Sequence, residues 1–435
     1  MLSLIEELKE GPEAHPSLYE KFEKAKEGLL RETKNYRLDT PHEVASYNSR
    51  LLLEQRVWYL EDYVREMEGE YAKKNPLTMQ ECGQVAEESM TGRHKVEVLC
   101  MGNVNEREAR EALQVVENHF FTQRQSRPLM ESELNTFRSM KLPTREEAIH
   151  IFKEDVMATG NRSVPLVYQD VAFSSSEENN AIEYIIQTGC DLELGYNGLA
   201  LLELLSHISY NSAYNQLRTK EQLGYIVSTF SRKTAGGGWG FSTVVQSSVA
   251  VPEVLEERVE AWLKQFRTEL DEMDTDSIAM EASAVVSQLK ERDTKLSREV
   301  NTFWGEIVNT EMFSDQMRTP AFDRLDRVAD ELVMLSERVC GTTTLNGNER
   351  LTPELLKQRL LEFVDRYISA ESPTRRAMST RVYNQKSKEW FDSNIGKPGV
   401  LSCFSDIRHM KQFLPTWPLA PYWRVESKSH TGSEG

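Results

Sequence analysis

Asn215 to Val227, N-Q-L-R-T-K-E-Q-L-G-Y-I-V, holds a helix exit, a turn and a strand entrance within thirteen residues. The chain leaves an amphipathic helix through Thr219 and Lys220, turns at Gly224 and becomes extended at Tyr225. Arg218 and Tyr225 stand seven residues apart across that corner. A guanidinium fork and a phenolic hydroxyl held there can both donate hydrogen bonds to a peptide carbonyl or to an oxyanion. The same residues admit a plainer account: Arg218 and Lys220 offset the dipole at a helix C-terminus, and a strand follows.

Upstream of the corner, Leu199, Leu202, Leu205 and Ile208 mark one face of a helix from about Gly198 to Leu217. Downstream, two apolar runs flank Gly236-Gly237-Gly238 and predict a hairpin. The triplet lacks a following Lys-Ser/Thr and a helix start, which argues against a phosphate loop. Ile149 to Phe152, Pro165 to Phe173 and Ala181 to Gly189 read as strands. Pro252 opens a helix striped by Leu255, Val259, Trp262, Leu263, Phe266 and Leu270. Asp274 or Thr275 caps the next helix, helical spacing continues from Leu296 to Ile307, and Thr352-Pro353 starts another. Ala377 to Tyr383 is the last strand. This order implies an α+β fold, an antiparallel or mixed sheet with helices gathered on one face.

The first third reads as charge-rich helices followed by a strand over Lys95 to Val104. Val96, Val98 and Cys100 point inward there, with a turn at Gly102-Asn103. A helix from about Glu106 follows, carrying Ala109, Leu113, Val116 and Phe120. Thr122 to Thr144 is polar and contains Pro128 and Pro143. The expected organisation is a first domain over 1–125, a linker over 126–144, a second domain over 145–425 and a disordered tail over 426–435.

A net charge of −17 argues against a nucleic-acid partner, which calls for a basic face. Hydrophobic content of 39% with 28% charged residues fits a soluble globular protein, not a disordered one. No run approaches the roughly 18 apolar residues of a membrane span, and the acidic N-terminus does not resemble a secretory or mitochondrial leader. Five scattered cysteines (Cys82, Cys100, Cys190, Cys340, Cys403) suggest reduced, mostly buried thiols and a cytoplasmic setting.

The eight histidines show no H-E-x-x-H, no H-x-x-E-H and no close pair. His42 and Glu43 are sequence neighbours and diverge on a helix. His207 lies beside the apolar stripe of its helix and reads as a packing residue. There is no G-x-S-x-G elbow and no cysteine with an identifiable base. The residues therefore offer no metal site and no self-sufficient catalytic set.

The run L-R-T-K-E-Q-L-G-Y-I-V closely resembles the C-terminal half of insulysin-type peptidases, inverted-motif zinc metallopeptidases of the pitrilysin family. The resemblance continues in the same order through Tyr36 to Leu53 with Pro41-His42, Met101 to Asn103, Val244 to Ser247, Leu255 to Leu263 and Phe303 to Ile307. It covers roughly residues 15 to 390. What it implies is an enzyme of four domains whose halves close around a peptide chamber. The N-terminal half carries H-x-x-E-H and a distal Glu that bind zinc, and the C-terminal half contacts substrate. Carried over by motif, Arg218 holds the substrate backbone, and Tyr225 is the catalytic donor to the scissile carbonyl. The resemblance implies no cofactor in this chain; zinc belongs to the missing N-terminal half. The implied partners are a peptide substrate and that zinc-bearing half, on the same polypeptide or another. Residues 1–125 match only the later portion of the family's third domain, which points to a fragment of a longer chain; residues 145–425 match the fourth. The alternative is a non-catalytic peptide-binding or scaffold protein that kept the fold.

Overall fold

The computed structural model describes residues 2–69, 75–123, 126–130, 137–158, 163–308, 322–336 and 353–418 of the 435. Helices α1 (Leu2–Glu10), α2 (Pro16–Asn35), α3 (Pro41–Leu53), α4 (Leu60–Glu68), α5 (Met79–Thr91) and α6 (Glu106–Glu117) come first. A short α7 (Arg145–Phe152) precedes strands β1 (Leu166–Val171) and β2 (Asn180–Cys190). Then come α8 (Asp191–Ala213) and the hairpin β3 (Ile226–Thr234) and β4 (Gly238–Ser247). Five helices follow: α9 (Pro252–Glu272), α10 (Thr275–Leu289), α11 (Leu296–Val308), α12 (Arg324–Ser336) and α13 (Pro353–Phe363). The chain closes on β5 (Arg376–Tyr383), α14 (Lys388–Asn394), β6 (Val400–Leu401) and α15 (Phe404–Met410).

Two compact units interleave in sequence. One comprises 1–40, 56–136 and 293–304; the other comprises 41–55, 137–292 and 305–435. In the first, α5 opens on a capping box between Thr78 and Glu81, and α6 on one between Asn105 and Glu108. Lys95 to Val104 is not a strand: among the described residues it makes no ladder, and the single nearby bridge joins His94 to Pro128. A β-segment needs a partner for its backbone groups, and none is supplied here. Val98 (42% exposed) and Cys100 accordingly face solvent instead of a core.

The second unit is built on a six-stranded mixed sheet, ordered β3-β4-β2-β5-β1-β6. The first three pairings are antiparallel, while β1 runs parallel to both β5 and β6. Central β2 is buried along its whole length because both faces are covered. Ile182, Tyr184 and Ile186 pack with α8, α9, α10, α12 and α13 in one continuous core. The helix stripes supply Leu199, Leu202 and Leu205, then Val259, Trp262 and Phe266, all buried. Helix α3 lies on the opposite face, where Ser49 and the backbone of Ala45 reach Thr380.

Ile149 to Phe152 is the end of helix α7, not a strand. Thr144 and Glu147 form a capping box that starts the helix, a T-x-x-E signal stronger than the four apolar-leaning residues it precedes. The glycine triplet does turn a hairpin; a Cβ on Gly236 would sit 2.2 Å from the Ser139 nitrogen, so close approach excludes a side chain there. Beside the hairpin's turn, the Trp239 indole N–H donates to Asp191 Oδ1 at 2.5 Å. Burial pushes the Asp191 carboxyl up to about 6, against the pull of that hydrogen bond. Of the described cysteines only Cys190 is buried; Cys100 and Cys403 are exposed, so the thiols are not mostly interior. Cys340, Thr352 and the 426–435 tail lie outside the described residues. No helix among the described residues is long and apolar enough to cross a membrane.

Candidate functional site

The corner at 214–226 begins where α8 runs out of sheet to cover. Leu199 to Ile208 bury against β3 and β4, Ser209 bonds Thr229 at 2.9 Å, and Ser212 receives the Trp262 indole N–H at 3.0 Å. Beyond Ala213 the helix widens into a π-turn over Tyr214–Lys220. Such widened turns re-aim side chains and recur at functional positions. The turn is closed by the Glu221 N–H on the Gln216 carbonyl and the Leu223 N–H on the Leu217 carbonyl, both at 3.0 Å. Leu217 and Leu223 are buried beneath it.

Three further contacts fix the exit. Gln222 adopts φ 52, a left-handed conformation that reverses the chain. Gly224 lies so close to β4 that a Cβ would fall 1.8 Å from the Gln246 carbonyl oxygen. Glu221 takes a two-pronged ion pair from Arg258 on α9, at 2.6 and 2.7 Å, and a hydrogen bond from Gln216 at 2.7 Å. The Arg258 hydrogen bond holds the Glu221 carboxyl below its ordinary range despite partial burial. Nearby, Gln246 Oε1 accepts the His42 backbone N–H at 3.1 Å and meets His42 Nδ1 at 3.0 Å. The start of α3 is thereby tied to the strand opposite Ile226.

The consequence is that Arg218 and Tyr225 meet. The Arg218 guanidinium carbon lies 4.5 Å from the Tyr225 ring centroid and 4.6 Å from that of Tyr214. Its Nη1 also donates to the Tyr214 hydroxyl at 2.5 Å. The cation is clasped between two phenol rings, each contact contributing about 0.5–1 kcal/mol at an exposed site. Tyr225 is 81% exposed. Among the described residues, no hydrogen bond engages its hydroxyl or the Nε and Nη2 of Arg218. Chemically, the corner presents a fixed cation with free N–H groups beside a free phenol, on an open surface.

Tyr214 is the member that sequence reading did not single out. Its signal was available: an aromatic four residues before an arginine shares a helix face with it. His207 pairs with Glu281 at 3.1 Å on the helix surface and does not enter the corner. Among the described residues, no group of three or more His, Cys, Asp or Glu side chains could hold a metal ion. The described residues therefore do not fit a zinc site.

Residues 204–304, which include the whole corner, match the family model described as PQQ synthase PqqF-like, C-terminal lobe domain 4. Human insulin-degrading enzyme is 24% identical over 410 residues, covering 92% of this chain and 34% of its own length. The peroxisomal insulin-degrading enzyme-like 1 of Arabidopsis thaliana is 26% identical over 406 residues, covering 92% and 35%. The crystal structure of pitrilysin superposes with a TM-score of 0.64 at 19% identity, again covering 92% of this chain and 35% of that one. That last likeness speaks for the fold alone. The chain spans about a third of the length of the relatives it matches.

Proposed function

Because this chain belongs to the insulysin and pitrilysin peptidase family, we propose that it is the substrate-holding C-terminal half of an insulysin-type zinc metalloendopeptidase. In this reading residues 1–125 are the later portion of the third family domain, and 145–425 the fourth. The zinc-bearing half stands elsewhere, on a longer form of the same polypeptide or on a partner chain, and this chain alone cleaves nothing. Its place is a reducing, cytoplasmic compartment, in keeping with the free described cysteines.

The observation that carries the proposal is the clasp itself. Arg218, held between Tyr214 and Tyr225, keeps Nε and Nη2 free for the carbonyl oxygens of an extended peptide. Tyr225 then donates its hydroxyl to the scissile carbonyl as negative charge develops on that oxygen. A donor preorganised in this way lowers the barrier by roughly 3 kcal/mol. The π-turn, the close approach at Gly224 and the Glu221–Arg258 pair support this reading, because they hold the backbone on either side of the corner.

The test mixes this chain with a separately produced zinc-bearing half of an insulysin-type peptidase and follows cleavage of a fluorogenic peptide. Cleavage is expected only in the mixture, and Tyr225→Phe should lower kcat by about 10²-fold with KM nearly unchanged. A mixture that associates and binds peptide without cleaving it would instead identify a non-catalytic peptide-binding protein. Unchanged turnover in Tyr225→Phe would remove that hydroxyl from the mechanism.

A further inference from the structure

The sheet has two edges, and they are unlike. The β6 edge is two residues long, too short to template another chain. The other edge is β3, nine residues long, and it begins at the residue after Tyr225. In an antiparallel pair, every second residue turns its N–H and C=O away from the neighbouring strand. On an edge those outward groups have no ladder to join. β3 pairs with β4 alone, and from Ile226 to Arg232 its backbone meets no other hydrogen-bonding partner among the described residues.

The devices that ordinarily guard such an edge are missing over most of it. Ile226 to Ser231, I-V-S-T-F-S, holds no proline and no charge. The register with β4 runs unbroken from Ile226–Gln246 to Thr234–Gly238, so no bulge twists the strand away. Central β2 is buried throughout, whereas Ile226, Ser228 and the run 230–233 of β3 are half-exposed. Ile226, Ser228 and Phe230, spaced by two, share one face of the strand. Two apolar side chains there flank a small one, a row against which the alternate side chains of a further strand can pack.

We propose that β3 is a docking rail on which an extended peptide adds to the six-stranded sheet through main-chain hydrogen bonds. The inference rests on the reading of this chain as a substrate holder, and it states what that site selects. The rail takes unfolded segments that can extend, that lack proline where the ladder needs an N–H, and that carry apolar side chains at alternate positions beside Ile226 and Phe230. Continuity with the corner identifies the occupant. β3 starts one residue beyond Tyr225, so a strand laid along it arrives at the phenol and at the Arg218 guanidinium that lies against its ring. A second copy of the chain fits less well, because two molecules of net charge −17 repel each other.

Amide hydrogen exchange of the full chain tests this, with a short capped peptide of alternating Thr and Val and with the same peptide N-methylated throughout. The outward amides of Ile226 to Arg232 should exchange freely in the chain alone. They should slow about tenfold with the first peptide at about ten times its Kd. The N-methylated peptide keeps the side chains but has no N–H to give, and it should leave the exchange unchanged. The readout needs no cleavage. Protection of β3 beside a reconstituted mixture that cleaves nothing would keep the rail and remove the peptidase reading; cleavage without protection would do the reverse. Equal slowing by both peptides, or slowing confined to Ile226, would overturn the proposal. So would slowing that appears without peptide and grows with protein concentration, the mark of a second copy on the edge.

Discussion

A methyl group on residue 224 tests whether the corner's tightness is what aims Tyr225. In Gly224→Ala the new carbon would lie 1.8 Å from the Gln246 carbonyl oxygen and 3.1 Å from the Ser247 Cα. Non-bonded contacts settle near 3.5 Å, so the two backbones must part by roughly 1.5 Å. Gln246 cannot yield, because it pairs with Ala181 on one side and Ile226 on the other. The displacement therefore falls on Leu223 to Tyr225. Overpacking of this kind costs roughly 1–3 kcal/mol of stability, which a domain of this size survives. A shift of about 1 Å at a reacting position costs about 10²-fold in rate. In the reconstituted peptidase, Gly224→Ala should lower kcat/KM by about 10²-fold while circular dichroism stays that of the folded chain. Placed on Tyr225→Phe, the same change should add little, because the two act through one group. Wild-type turnover and melting in Gly224→Ala would refute the claim that this close approach positions the phenol. Full additivity of the two changes would show that the corner acts through something else.

Tyr214→Leu removes one wall of the clasp and the hydroxyl that Arg218 Nη1 contacts; KM for peptide should rise about tenfold, with stability altered by about 1 kcal/mol or less. Steady-state kinetics beside a melting curve checks this, and an unchanged KM would count against a peptide-holding role for Arg218. Asp191 is raised from an ordinary 3.8 to about 6 by burial, so the folded chain binds its proton more tightly than the unfolded chain. Its contribution therefore makes the protein more stable as pH falls from above 6 to below 4, by about 2–3 kcal/mol. Urea unfolding across that range should show the gain in the parent chain and a flatter profile in Asp191→Asn; Glu203, raised in the same sense, remains in both. Identical pH profiles would contradict the assignment.

What the sequence disclosed, and what it hid, divides along the range of the interactions. The helix stripes, the hairpin and β1, β2 and β5 were legible because their periodicities are local and each lies on the core of the unit. The two misread segments fail for opposite reasons. Ile149 to Phe152 is too short for its periodicity to decide, and the Thr144–Glu147 cap settled it. Lys95 to Val104 has a strand's pattern but no partner among the described residues, and a strand exists only in pairing. Strand β6 is two residues long and is defined by Val167 and Tyr168 beside it, so no pattern of its own announces it. The seating of α3 on the sheet was equally hidden, since Ser49 and Thr380 are 331 residues apart.

The corner shows the same division inside a single site. Arg218 and Tyr225 could be named from sequence, yet their seven-residue spacing says nothing about whether the groups meet. On a straight α-helix, positions seven apart stack about two turns along, near 10 Å of rise, too far for a guanidinium to lie against a ring. They meet because the chain does not stay helical: a π-turn, a left-handed Gln222 and a side-chain-free Gly224 bring Tyr225 back over Arg218. Each of those features is disfavoured locally, and each is held by something distant. Arg258 on α9 clamps Glu221, and β4 presses on Gly224. A strained turn persists only where its surroundings over-determine it. Removing that clamp should therefore loosen the site: Arg258→Met, remote in sequence from the phenol, is expected to lower kcat by about tenfold. A matching effect should appear in Glu221→Gln, and the double variant should be no worse than either alone. If Arg258→Met leaves turnover intact, the corner holds its shape without α9, and its precision must come from the turn alone.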